Sequence, residues 1–298
     1  MDWVARAAGA AIVLFVIRDM FHTLGHPEGQ GGLTRFVLVT LWRLSRLGGG
    51  KGRLSRLTGP LALFTVIIVW ALAAIVGWAL IYLPSIPTGF VYSSGSLVGR
   101  TSAPLDALYI SMTALSTLGF GDIAPAPGWL RIVTPLEALF GFALLTVAVS
   151  WVLQVYPALA RRRALAIRLS LLRRAEILTG LPDSGSDLLP PVLERLSIEI
   201  VQSRIDLTQY SETYYFRDED PHSSLAAALP YAAKLARIAA TSSRPDMRLA
   251  AGLLTGALED FAGVLKDRFP ASAPLMPDLL AAYAADHGYR PSEGENDQ

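Results

Sequence analysis

Apolar residues gather in a few long runs in the first half of this chain. Leu61 to Leu83, LALFTVIIVWALAAIVGWALIYL, carries no charge. At about 1.5 Å per residue such a helix crosses a hydrocarbon core of about 30 Å. Pro60 suits its first turn and Pro84 ends it. Trp78 and Tyr82 lie near one end, where interfacial aromatics are expected. Ile132 to Tyr156, IVTPLEALFGFALLTVAVSWVLQVY, is a second span whose single charge is Glu137. Pro157 and the run Arg161, Arg162, Arg163 follow it. Val4 to His22 is weaker, with Arg18 and Asp19 near its end, either pairing locally or snorkelling. Its length and apolarity read as a third span, the alternative being an amphipathic helix on the membrane surface.

The pattern changes after residue 157. Helical periodicity with ordinary charge predicts helices over 158–179, 187–216, 223–241, 245–268 and 275–287, punctuated by TGLPDSG and SSRPD, with no strand-rich run. The tail RPSEGENDQ reads as disordered. Between the first two spans, Leu33 to Leu47 reads as an amphipathic segment at the membrane surface, joined by Gly48, Gly49 and Gly50 to the next helix. RLSRL occurs twice in residues 43–57, with arginines three apart. A voltage sensor would need a spanning apolar length around them, which is missing. The resulting division is an accessory helix (1–26), an amphipathic segment and linker (27–58), a membrane domain (59–157), a helical domain (158–290) and a tail (291–298).

Composition agrees. Of 298 residues, 52% are hydrophobic and 17% charged, a low charged share for a soluble domain. A net charge of +1 offers no global attraction to nucleic acid. Cysteine is absent, which excludes disulfides and thiolate metal sites. The N-terminal run has an early acid and no clear cleavage site, so it reads as a retained helix. Arg35, Arg43, Arg46, Lys51, Arg53 and Arg56 against Glu28 place residues 25–58 in the cytoplasm. Everything after 158 follows them there, leaving the N-terminus and the loop at 85–103 outside a multi-pass cell-membrane protein.

On the outer side, between the two clear spans, lies STLGFGDIAP, residues 116–125. Before it, Pro104 to Ser116 reads as a helix too short to span, the right length for a re-entrant segment. Ser102 is placed to cap it, Pro104 fits its first turn, and Asp106 suits its positive end. Its C-terminus, partially negative, favours a cation in the membrane. Non-helical backbone at that depth must be buried in protein or line water. Gly119 and Gly121 take positive φ without steric cost. Alternating backbone hand then points successive carbonyls the same way.

STLGFGD resembles the potassium channel selectivity filter, in the Gly-Phe-Gly form found in second pore loops of two-pore-domain channels. The order of helix, pore helix, filter and helix over residues 59–160 is that family's pore domain. The potassium channel filter is the standard worked case of carbonyl rings replacing an ion's hydration shell. The resemblance implies an all-α membrane protein whose pore is a homotetramer in the lipid bilayer. It also implies K+ held at Thr117, Leu118, Gly119 and Phe120, with Gly121 completing the loop. Leu118 stands for the commoner valine and is expected to pack behind the filter. Phe120 stands for the commoner tyrosine and lacks its hydroxyl. Thr113 lies where some members carry a bracing acid; with Ser116 and Asp122 it makes up the filter support and outer mouth. Gly141 is either a gating hinge or a packing residue. Glu137 either lines the path or hydrogen-bonds behind the pore helix.

Other chemistry is thinner. His22 and His26 lack a third metal ligand. Asp218, Glu219, Asp220 and His222, in RDEDPH, read as a solvated loop before a divalent-cation site. Residues 158–298 lack the Gly-x-Gly-x-x-Gly of nucleotide-binding regulators, and nothing there identifies a cytoplasmic ligand or partner. No catalytic set, organic cofactor or pumping motif is evident, so the chain reads as a passive potassium channel gated at its inner helix and not as an enzyme. The other readings are a potassium transporter subunit, which would carry several such loops in one chain, and a non-conducting receptor or scaffold acting through its cytoplasmic helices.

Overall fold

Helices account for nearly all of the regular structure, as the long apolar and amphipathic runs dictate. A computed structural model describes residues 2–25, 31–47, 58–93, 102–126, 128–177, 187–218, 220–269 and 275–289. The glycine link with the second RLSRL copy, His26, Glu219, TGLPDSG and the 291–298 tail lie outside the described residues. The chain divides into two compact units, Met1–Thr40 with Leu61–Leu153, and Leu41–Pro60 with Gln154–Gln298.

The order begins with α1 (Asp2–Gly25), α2 (Gly32–Leu47) and α3 (Thr58–Tyr82), of which residues 41–47 of α2 and 58–60 of α3 belong to the second unit and the rest to the first, and α3 runs into a 3-10 turn at Leu83–Ser85 that contains Pro84. Next come β1 (Phe90–Tyr92), α4 (Ala103–Leu115), β2 (Ile123–Pro125) and α5 (Leu130–Arg174). Among the described residues, two helices are long and apolar enough to cross a membrane, Thr58–Ser85 and Leu130–Arg174. The helix α1 is not one of them. It packs on α3 through glycines: a Cβ on Gly9 would lie 2.3 Å from the Gly77 carbonyl oxygen. Small residues let two helix backbones approach this closely.

Asp19 neither pairs locally nor snorkels. It is buried, and its carboxylate accepts hydrogen bonds from the Leu33 and Thr34 backbone N–H groups, the Thr34 hydroxyl and the Trp70 indole. An acid reaching the first N–H groups of α2 satisfies donors that a helix N-terminus leaves open. Tyr82 is not an interfacial anchor either. It is fully buried, stacked edge-on against Phe90 in a cluster with Ile110 and Leu130.

The inner span was expected to end at Pro157, with a new helix from 158. Instead α5 runs unbroken for 45 residues. A proline inside a helix costs about 3 kcal/mol. Burial beyond it offsets that loss: Ala158, Leu159, Leu165, Ala166 and Leu169 are all nearly inaccessible, spaced to one face of the helix. At 1.5 Å per residue α5 is about 68 Å long, roughly twice a hydrocarbon core.

The second unit adds α6 (Leu189–Gln209), a 3-10 turn (Ser211–Tyr215), α7 (Leu225–Ala239), α8 (Pro245–Arg268) and α9 (Met276–Asp286). The helix expected over 187–216 is therefore two pieces. After Tyr210 (φ −124°, ψ 68°) the chain turns so that Tyr214, Tyr215 and Phe216 face inward. Tyr214 stacks flat on Phe269, centroids 3.9 Å apart. Trp42 of α2 sits beside Tyr214, Tyr215 and His287, with the Arg217 guanidinium over its ring at 4.3 Å. The Trp42 indole N–H and the Tyr214 hydroxyl both donate to Asp286 Oδ2. Glu212, in the same turn, is fully enclosed, with Oε2 lacking a partner. Burial pushes its carboxyl up to about 7.

Candidate functional site

The short helix α4 forms over Ala103–Leu115 with Pro104 in its first turn and Asp106 near its positive end. Ser102 occupies the N-cap position, but its side chain makes no capping bond; its carbonyl accepts from the Leu105 and Asp106 N–H groups instead. At the other end, the Ser116 hydroxyl donates back to the Met112 carbonyl at 2.6 Å.

Beyond Ser116 the backbone is left-handed at every second residue. Thr117 has φ 59°, Gly119 51° and Gly121 78°, while Leu118 and Phe120 between them are not left-handed. For threonine this conformation costs about 1–2 kcal/mol; for glycine it is free. Such alternation turns successive carbonyls to one side. The loop is held at its Thr117 end by backbone bonds to α4: Thr117 N–H to the Ala114 carbonyl, and the Leu118 and Gly119 N–H groups both to the Thr113 carbonyl, at 3.0 and 3.2 Å. Thr113 meets the loop through its main chain, because its hydroxyl donates to the Ile110 carbonyl. A Cβ at Gly119 or Gly121 would meet nothing within 4 Å in this chain. Leu118 and Phe120 project outward, 62% and 66% exposed, so the described residues of their own chain give either little cover.

Asp122, at the other end of the loop, accepts a hydrogen bond from the Tyr109 hydroxyl at 2.8 Å, and its carbonyl accepts from Ser93 N–H. The residues after Asp122 then pair antiparallel with β1, Tyr92 opposite Ile123 and Phe90 opposite Pro125. This two-stranded clasp ties the loop after α3 to the end of the 117–122 loop. The Tyr92 hydroxyl donates to Asp106, locking the same loop to the start of α4; burial and the Asp106 carboxylate raise the Tyr92 phenol above its ordinary value.

Glu137 is fully buried on α5, and its oxygens accept from the Tyr82 hydroxyl of α3 and the Ser111 hydroxyl of α4, both at 2.6 Å. One carboxyl thus binds three helices together behind the pore helix, away from the face that carries the exposed apolar residues of α5. Gly141, four residues on, lies against the end of α4: a Cβ there would fall 1.9 Å from the Leu115 carbonyl oxygen.

Tyr109, Ser111 and Tyr82 were not picked out from the sequence as site residues. Their signal was a hydroxyl inside an apolar helical run, which needs a partner without naming one. RDEDPH does not gather as a metal site. Asp218 is buried and bonded to Arg162 and Arg163, His222 Nδ1 lies 2.9 Å from the Ser170 hydroxyl, and among the described residues no cluster of metal-ligating side chains exists.

Comparison with known proteins bears on this site. Residues 62–156, about a third of the chain, match the family model described as Ion channel. This stretch is thus similar to an ion channel domain, and the fold is that of an all-α membrane channel protein. Over 152 residues, 51% of this chain and 43% of the relative, it is 30% identical to the uncharacterized membrane protein YdjJ of Bacillus subtilis. Over 53 residues, 18% of this chain and 13% of the relative, it is 40% identical to two-pore potassium channel 5 of Arabidopsis thaliana. The chain thus spans less than half the length of either relative. No solved structure matches it.

Proposed function

We propose, starting from a chain whose residues 62–156 belong to the ion channel family, that it is a potassium-selective channel built from four copies. The observation that carries the reading is the alternation of backbone hand at Thr117, Gly119 and Gly121, directly after a helix too short to span. A single loop makes one wall of carbonyls; a ring that replaces a hydration shell needs several, and one chain carries one loop. Four chains around an axis give rings at Thr117, Leu118, Gly119 and Phe120, with K+ between them. Neighbouring copies then cover the outward-facing Leu118 and Phe120, and the Tyr109–Asp122 bond stiffens the outer mouth in place of the hydroxyl that Phe120 lacks.

In this reading residues 59–157 conduct, and the helices after 158 tune opening from the cytoplasm. The basic residues between the first spans set the orientation, with the N-terminus outside. Conduction is passive. Glu137 acts as a brace, and Gly141 as a close-packing residue between inner helix and pore helix.

The test is flux from liposomes loaded with potassium, followed by reversal potentials in mixed potassium and sodium. A channel equilibrates potassium without a coupling ion and holds a potassium-selective reversal potential. Flux that depends on a second ion favours the transporter subunit, and no flux from well-assembled protein favours the scaffold. Gly121→Ala forces a residue with Cβ into φ 78°, a strain of about 1–3 kcal/mol in each chain. It should abolish conduction or weaken the preference for potassium over sodium. Unchanged reversal potentials would remove the filter assignment.

A further inference from the structure

Past its apolar span, α5 keeps an apolar line that none of the described residues of its own chain covers. Leu153, Pro157, Ala160, Ala164, Ile167 and Leu171 are all exposed; Ile167 and Leu171 are 45% and 52% accessible, beyond the basic run Arg161, Arg162, Arg163. The spacing is four, three, four, three, four, which is the a/d repeat of a coiled coil. At about 100° per residue all six fall within roughly 40° of one line along the helix.

The residues flanking that line are just as informative. Arg161 and Arg168 border one edge and Arg163 the other. In a solvated helix these cations would stand beside the apolar line. Here each is drawn back onto its own chain: Arg161 makes a two-pronged bond to Asp206 at 2.8 Å, Arg168 pairs with Glu199 and Arg163 with Asp218. The seam is left apolar, with two alanines at its centre. The opposite face, with Leu159, Arg162, Leu165, Ala166 and Leu169, is buried in the second unit.

We propose that this line is an interface between copies of the chain: the inner helices continue past the membrane as a parallel bundle over residues 153–171. The inference rests on the tetrameric reading above and extends it. Two and a half heptads are too few to hold a coiled coil in isolation. Continuity supplies the rest, because α5 is one unbroken helix, and whatever gathers four copies at the filter brings the next turns near the same axis. Alanine at 160 and 164 permits close approach, while Ile167 and Leu171 fill the space as the helices go on. A partner of another kind would have to displace helices already tethered there at high local concentration.

The absence of cysteine from the chain makes the test clean. Single variants Ala160→Cys, Ala164→Cys, Ile167→Cys and Leu171→Cys are made in the full-length protein, with Glu259→Cys, exposed on α8, as control. Each is oxidised in native membranes and run on non-reducing gels, and the mass of the unsubstituted particle is measured in detergent. Disulfides need Cα atoms within about 7 Å, so linked dimers at the four seam positions and none at 259 are the expected result. A four-chain particle whose seam cysteines stay unlinked overturns the bundle and leaves the tetramer standing. A monomeric particle overturns both. Linking at 259 as strong as at the seam marks random collision and also overturns the bundle.

Discussion

Replacing Gly141 by alanine is a test in which the sign of the effect decides. Glycine inside a helix is less favourable than alanine by about 1 kcal/mol. At an open position the substitution therefore stabilises. At Gly141 the added Cβ would sit 1.9 Å from the Leu115 carbonyl oxygen. A close carbon–oxygen contact is about 3.3–3.6 Å, so the two helices must separate by about 1.5 Å. The atom in the way is backbone and cannot swing aside. Overpacking of this kind costs about 1–3 kcal/mol, and the helix-propensity gain offsets only part of it. The displaced group also matters: Leu115 ends α4, and Thr117 begins the left-handed alternation two residues later. A shift of the Leu115 carbonyl is passed directly to the left-handed loop that Thr117 begins.

Gly141→Ala should therefore melt a few degrees below the parent and show altered potassium over sodium selectivity, and Gly141→Ser should be worse on both counts. The matched control is Gly252→Ala on α8, where a Cβ meets nothing within 4 Å; it should melt at or above the parent temperature. Thermal melts of the purified protein, size-exclusion profiles and reversal potentials give the three readouts. A Gly141→Ala protein that melts as high as the Gly252→Ala control, with parental selectivity, would refute the close-packing argument. A variant that melts normally and selects normally but opens less often would instead support a hinge at this residue.

Three further outcomes follow from other contacts. Tyr82→Phe and Ser111→Ala each deprive buried Glu137 of a 2.6 Å donor and should each lower stability by about 1–3 kcal/mol; in the double variant the losses should be non-additive, because both donors serve one carboxyl. Denaturant unfolding of the four proteins of the cycle checks this, and strict additivity would argue against a shared network. Trp42→Ala empties an aromatic seat and leaves Asp286 with one fewer donor, a loss of about 3–5 kcal/mol; Trp42→Phe should recover most of it, and equal losses in the two would show that the ring packing counts for little. Glu212 has a folded carboxyl raised to about 7 from 4.5, so the folded state holds its proton more tightly than the unfolded state does. Its contribution to stability is present at low pH and is lost as pH rises from about 4.5 to 7, roughly 3 kcal/mol in all. Glu212→Gln should flatten that fall in melts between pH 5 and 8; an unchanged slope would assign the pH dependence elsewhere.

How far the sequence discloses this molecule depends on the range over which each rule acts. The first clear apolar run, the short helix before Thr117 and the amphipathic segment are set by neighbours within a few turns, and their boundaries fall within about three residues of α3, α4 and α2. Thr117 is harder, since a β-branched residue with φ 59° contradicts local preference and is held by bonds from the loop to α4. Pro157 shows local preference overruled outright: burial of Leu159, Leu165 and Leu169 carries the helix past a residue that would stop it elsewhere.

The acids in apolar runs mark the limit more sharply. Glu137 and Asp19 both stand out in the sequence as charges where none should be, and each is bound to require partners. The identity of the partners comes from tertiary approach alone: Tyr82 is 55 residues from Glu137, and Trp70 is 51 from Asp19. In both cases the donors come from different helices than the acid. A carboxyl that several helices must satisfy is costly unless all of them are in place, so each acid makes the arrangement of its helices conditional on the others. That is a function for charge in an apolar segment which no composition rule distinguishes from a place on the ion path. Here the distinction rests on which face of α5 is buried, and Glu137 lies on the buried one.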